Sequence, residues 1–202
     1  MALKDEYFVM EPDLHNTSFL ELNKLIYPNS NSDSAVSSLV LTKAAYIHNS
    51  IKVTIIKEQQ SPAMTDFMYF KSAYPILHKR LLEILLPLKL RNTQHFPVLI
   101  KDRKNVEHKD FFMWHIYNVV DCLDPKKSNV DRYPSGGFIV FELQLDNAKL
   151  NKVPLEHRLV FRLGHSEVLL LVHKSLVDKF KQKKVSGVKF YPVNTWRVGN
   201  TK

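Results

Sequence analysis

Nine histidines, one cysteine and a lysine-rich run are the residues of this 202-residue chain with obvious chemical potential. Histidines at ligand spacing would hold zinc, but the chain has no HExxH and no paired-cysteine signature. His108 and His115 are expected to be separated by a turn, and His165 and His173 to flank a strand. No GxSxG elbow exposes a serine. Cys122 sits in the apolar run YNVVDCL, without the basic or glycine-rich setting that activates a thiol, and reads as buried. A P-loop and a GxGxxG fingerprint are both missing, and Gly136-Gly137 precedes a strand, so it reads as a turn. Glu142 and Asp146 fall on one face of an expected strand, where they read as salt-bridging surface residues. The sequence offers no catalytic residue, no cofactor site and no metal ligand. It predicts a protein that is not an enzyme and uses no cofactor.

The elements that would position these residues are organised by a repeat. Residues 76–98 read ILHKRLLEILLPLKLRNTQHFPV and residues 171–193 read LVHKSLVDKFKQKKVSGVKFYPV. At a constant offset without gaps, His78 meets His173, Lys79 meets Lys174, Leu81 meets Leu176, Pro97 meets Pro192 and Val98 meets Val193. Each copy reads as strand, helix, turn, strand. His78 and His173 stand where each helix begins, either as its N-cap, a position Ser or Asp fills better, or as residues facing the end of the sheet. Asn92 occupies the place of Gly187, and both residues tolerate the left-handed backbone that follows a helix. Pro97 and Pro192 suit a strand start or a sheet edge. Pro87 should end the first helix, whereas Lys174–Lys184 continues without a proline.

The rest of the chain fills in around the copies. Strands are expected at Glu6–Met10, Ile51–Lys57, Phe67–Phe70, Phe96–Lys101, Phe111–Val120, Phe138–Leu145 and Leu159–Leu163, with Val168–Val172 a buried strand. Thr17–Ile26 has helical spacing. Tyr27–Ser38 and Asp124–Gly137 read as polar loops. The fold class is therefore α+β, with mixed, mostly antiparallel sheets and a duplicated strand-helix-strand unit. With no long Pro/Gly linker, residues 1–202 are expected to form a single domain. Its two repeats, about 67–101 and 162–196, are expected to share one sheet system.

Charge is uneven. The chain carries a formal +9, with 10 Lys+Arg against 9 Asp+Glu in residues 1–100 and 19 against 11 in the remainder. A basic half suits nucleic acid, anionic lipid or an acidic protein partner. The run Lys179–Lys184 (KFKQKK) lacks the interleaved Arg and aromatics that reach or stack on bases, and reads as a solvated helix face. One cysteine, no secretory signal and no apolar run of membrane length lead to the expectation of a soluble cytoplasmic protein.

The second half resembles a family of bacterial immunity proteins found beside polymorphic toxins, long described as a domain of unknown function. The resemblance rests on Tyr117-Asn118-Val119-Val120-Asp121 with Leu123-Asp124, on Phe161-Arg162-Leu163, and on Ser186-Gly187-Val188-Lys189-Phe190. The opening Tyr7–Met10 fits as well. Pro75–Leu85 followed by Phe96-Pro97-Val98 is similar to the family's first copy. The resemblance spans most of the chain apart from roughly residues 14–60. It departs at His78 and His173, where the family often has Ser. It implies a protein that binds one cognate toxin, delivered by a contact-dependent or type VI secretion route, and blocks it in the producing cell. It brings no catalytic residues. A basic half implies an acidic contact surface on the toxin, since complementary charge speeds encounter. Loops with turn chemistry and aromatic tips are the expected contacts: Asp131, Arg132 and Tyr133 first, then Tyr27 with the Asn29–Ser34 loop. The alternative reading is a nucleic-acid-binding module that uses the basic C-terminal half. No membrane partner is expected.

Overall fold

The computed structural model describes residues 6–13, 41–45, 51–54, 64–70, 74–101, 106–134 and 136–199. The expected helix Thr17–Ile26, the loop Tyr27–Ser38 and candidate contact Tyr27 lie outside these residues. In chain order the strands are β1 (Tyr7–Pro12), β2 (Ile51–Thr54), β3 (Phe67–Phe70), β4 (Tyr74–His78), β5 (Thr93–Lys101), β6 (Glu107–Ile116), β7 (Val119–Val120), β8 (Asn129–Arg132), β9 (Phe138–Glu142), β10 (Val160–Leu163), β11 (Ser166–His173) and β12 (Val188–Pro192). The helices are α1 (Lys79–Leu85), α2 (Asn147–Asn151) and α3 (Lys174–Gln182). The fold is α+β with mostly antiparallel sheets, as expected. Among the described residues no helix is long and apolar enough to cross a membrane.

The chain divides into two compact units. One comprises Pro12–Tyr117 with Val185–Val188, and the other Met1–Glu11, Asn118–Lys184 and Lys189–Lys202. The first holds a sheet of order β2-β5-β6-β4-β3, in which β4 and β5 both pair antiparallel with β6. The second holds a sheet of order β12-β1-β11-β10-β7, in which β11 pairs antiparallel with β1 and β10. The expectation of one shared sheet system is therefore corrected: each copy has its own sheet. The physical reason is the strand lying between the two strands of each copy. In the first sheet it is β6, which follows the copy in sequence. In the second it is β1, at the start of the chain.

Local chemistry recurs in both units. His78 and His173 are extended residues at the N-caps of α1 and α3, and each Nδ1 accepts a backbone N–H two residues on, from Arg80 at 3.4 Å and Ser175 at 3.2 Å. Each imidazole also lies edge-on to an aromatic ring on the neighbouring strand, His78 to Phe111 and His173 to Tyr7, both with centroids 5.3 Å apart. The ring supplies apolar contact and a cap in one side chain, which offsets the weakness of histidine as a cap. Leu81 and Leu85 bury one face of α1, and Leu176, Val177 and Phe180 one face of α3. Pro87 falls in a 3-10 turn that ends α1. Left-handed residues match across the offset: Lys89 and Lys184 at φ 47° and 50°, Asn92 and Gly187 at 52° and 87°. Pro97 precedes the pairing of β5 with β2, which runs from Val98 to Lys101, and Pro192 ends β12 at its sheet's edge.

Four expectations are corrected. Phe111–Val120 is not one strand: β6 ends at Ile116, and Asn118 is buried with its amide donating to the carbonyls of His157 (2.6 Å) and Val160 (2.8 Å). Those bonds turn the chain into the second unit. His108 and His115 share β6 with no turn between them. Val168 begins the stretch read as buried, yet it is 57% exposed, and burial is complete only from Leu170. The loop Asp124–Gly137 contains β8, an antiparallel partner of β9.

Candidate functional site

The second unit carries a cleft of about 410 Å³ lined by residues from four separate segments. Its walls come from the strand end after β7, from the β8–β9 hairpin with Lys149 of α2, and from the turn between β10 and β11.

The first wall is set by backbone pairing. Cys122 and Leu123 are buried, Leu123 forms an antiparallel bridge to Leu145, and Asp146 N–H donates to the Cys122 carbonyl at 2.8 Å. This holds Asp121 at the surface, where its carboxylate accepts from Lys149 Nζ at 3.0 Å. That bond keeps the Lys149 ammonium above its ordinary pKa. Asp146 is not on a strand. It caps α2, its Oδ1 accepting from Ala148 N at 2.9 Å and Lys149 N at 3.1 Å. The reading of Glu142 and Asp146 as strand neighbours is thus corrected: β9 stops at Glu142, which pairs with Arg197 at 3.3 Å.

The turn supplies the third wall. Leu163 and Ser166 are paired across a two-residue connection, Gly164-His165. A Cβ on Gly164 would lie 2.9 Å from the Asp121 Cα, so only glycine fits there. The left-handed place then falls to His165, at φ 67°. A side chain in that conformation costs about 1 kcal/mol. His165 Nε2 lies 3.7 Å from Asp121 Oδ1, and its ring meets Phe138 edge-on at 6.0 Å. The His165 carbonyl accepts from Phe138 N–H at 2.7 Å, tying turn to hairpin.

The hairpin divides the sequence-predicted cluster. Val130 pairs with Val140, and Arg132 with Phe138. Strand alternation puts these pairs on one face, with Val140 buried and Phe138 packed against the core. Arg132 lies over the Phe138 ring at 5.5 Å and lines the cleft. Asp131, paired with exposed Ile139, belongs to the opposite face, and Tyr133, just past the strand, is 48% exposed. Arg132 therefore joins Asp121, Phe138, Lys149 and His165, while Asp131 and Tyr133 do not. Sequence reasoning missed those four partners. The Leu-Gly-His-Ser turn was the available signal for His165.

The chemistry at hand is charge recognition. Cys122 is buried and its thiol is pushed up to about 12, chiefly by desolvation, so it is not a thiolate at neutral pH. Among the described residues no group of three or more His, Cys, Asp or Glu is placed to hold a metal. The lysines of α3 are exposed, and Lys174 pairs with Asp178 within the helix.

Residues 33–195 match the family described as Immunity protein family (Imm11). The match covers both copies of the repeat and all the cleft residues. No curated protein matches the chain.

Proposed function

The chain belongs to the Imm11 immunity protein family, and we propose that it protects the cell that makes it by binding one cognate toxin and holding it inactive in the cytoplasm. The observation that carries this reading is the extent of the family match, 33–195 of 202 residues. Binding without turnover is the proposed mode of action, with no cofactor. The cleft and its hairpin supply charge and shape for a partner, and among the described residues lining the cleft there is no Ser, Thr or Cys. The proposed partner is a secreted antibacterial protein, delivered between cells by a polymorphic-toxin or type VI route, with an acidic contact surface. The +9 charge favours encounter with such a surface, and steering of this kind weakens with salt.

The test is co-expression with the product of the neighbouring reading frame. Protection of growth and a 1:1 complex on size-exclusion chromatography are expected. A toxic neighbour that kills equally with and without this chain refutes the reading. Salt-titrated binding to random DNA and RNA addresses the nucleic-acid alternative, which requires steeply salt-dependent micromolar affinity.

A further inference from the structure

We infer that the cleft of the second unit is a carboxylate-reading pocket, in which Arg132 grips one exposed Asp or Glu side chain of the toxin. The inference rests on the immunity reading and deepens it. Its starting point is Arg132. Among the described residues its guanidinium makes no hydrogen bond and no ion pair, and it lies over the face of Phe138 at 5.5 Å. Arg80, Arg158, Arg162 and Arg197 each bond a protein oxygen, whereas Arg91, exposed and outside the cleft, is like Arg132 in bonding none among the described residues. A guanidinium lodged over an aromatic ring is held in place while its N–H donors stay free, and their fork matches a carboxylate.

The opposite wall decides the sign of the occupant. The cleft's single acid, Asp121, is already bonded to Lys149 and lies beside His165. Among the described residues Arg132 and Lys149 therefore line a space with one carboxylate, and that carboxylate is engaged by Lys149. A Lys or Arg from a partner would have to displace Lys149 while approaching Arg132. An Asp or Glu meets Arg132 unopposed, with Leu123 and Pro125 to pack its methylene groups. Gly136, which also lines the cleft, brings no side chain of its own to the hairpin tip.

Two measurements test this on the full chain. In the first, NMR follows the Arg132 Nε and His165 ring signals during titration with Ac-Gly-Glu-Gly-amide and, separately, Ac-Gly-Gln-Gly-amide. Saturable shifts with the glutamate peptide alone, abolished by Arg132→Gln, are expected. Equal responses to both peptides, or none to either, overturn the pocket. In the second, Kd for the neighbouring-frame toxin is measured for wild type, Arg132→Gln, Arg132→Lys and Arg91→Gln, a residue that does not line the cleft. Arg132→Gln should weaken binding roughly 10–100-fold, Arg132→Lys less, and Arg91→Gln not at all. Arg132→Gln binding as tightly as wild type overturns the pocket and leaves the immunity reading standing. A wild-type chain that fails to bind the toxin overturns the immunity reading, and the peptide titration then decides the pocket by itself.

Discussion

Replacing Gly187 by alanine should destabilise the protein far more than the matching change at Asn92, although the two residues occupy the same place in the repeat. Both are left-handed, at φ 87° and 52°. Alanine at either position incurs about 1 kcal/mol from backbone strain alone. Gly187 has a second constraint. A Cβ there would lie 2.1 Å from the Phe67 carbonyl oxygen, 2.5 Å from Thr65 Oγ1 and 2.8 Å from Thr65 Cβ. These are far inside van der Waals contact, and the first is backbone of β3. That carbonyl accepts from Thr65 Oγ1 at 2.8 Å, and Phe67 N–H donates to the Ser186 carbonyl at 3.1 Å. Relief requires β3 to shift, an overpacking cost of about 1–3 kcal/mol. Gly187→Ala should therefore lose about 2–4 kcal/mol, and Asn92→Ala about 1 kcal/mol. Urea denaturation followed by circular dichroism measures both, with Asn92→Gly as a near-neutral control. If Gly187→Ala and Asn92→Ala agree within about 0.5 kcal/mol, the steric half of this reasoning is wrong.

His95 stacks on Trp114, and its burial holds its pKa down at about 4, against 6.5 in the unfolded chain. A depressed histidine contributes fully above the unfolded value and loses that contribution as pH falls from about 6.5 toward 4, up to about 3 kcal/mol in all. His95→Phe should flatten the stability–pH curve over that window, and an unchanged slope would count against the assignment. His78→Ala and His173→Ala should each cost about 1–2 kcal/mol of unfolding free energy, and asparagine at either position should recover most of it, because its carbonyl can take over the cap. Cys122 should react with Ellman's reagent roughly 100-fold more slowly in the native protein than in urea, and comparable rates would show the thiol to be accessible.

The copies were legible in the sequence because caps and left-handed turns are local. His78, His173, Asn92 and Gly187 do what their residue types and neighbours dictate. The second sheet was not legible, since β1 joins it from the far end of the chain and periodicity carries no partner information. β8 escaped because its core-facing residues include a single valine, Val130, while Asn129, Asp131 and Arg132 are exposed. Asp146 was misplaced on a strand although Asp-Asn-Ala is a helix start; the apolar run before it, through Leu143 and Leu145, masked the cap. Of the site, sequence offered Arg132 through its loop chemistry. Asp121, Lys149 and His165 converge only after three segments pair, and no spacing along the chain encodes that.

The different sources of β6 and β1 have a consequence for synthesis on the ribosome. Strands β4, β5 and β6 leave the exit tunnel in succession, so the middle strand of the first sheet meets its partners soon after they emerge. β1 emerges well before its partner β11, and the segment Pro12–Tyr117 of the first unit is made between them. Throughout that interval an apolar strand with unsatisfied amides waits in the nascent polypeptide, open to mispairing with other chains. Slow translation between β1 and β11 therefore carries a hazard for this protein.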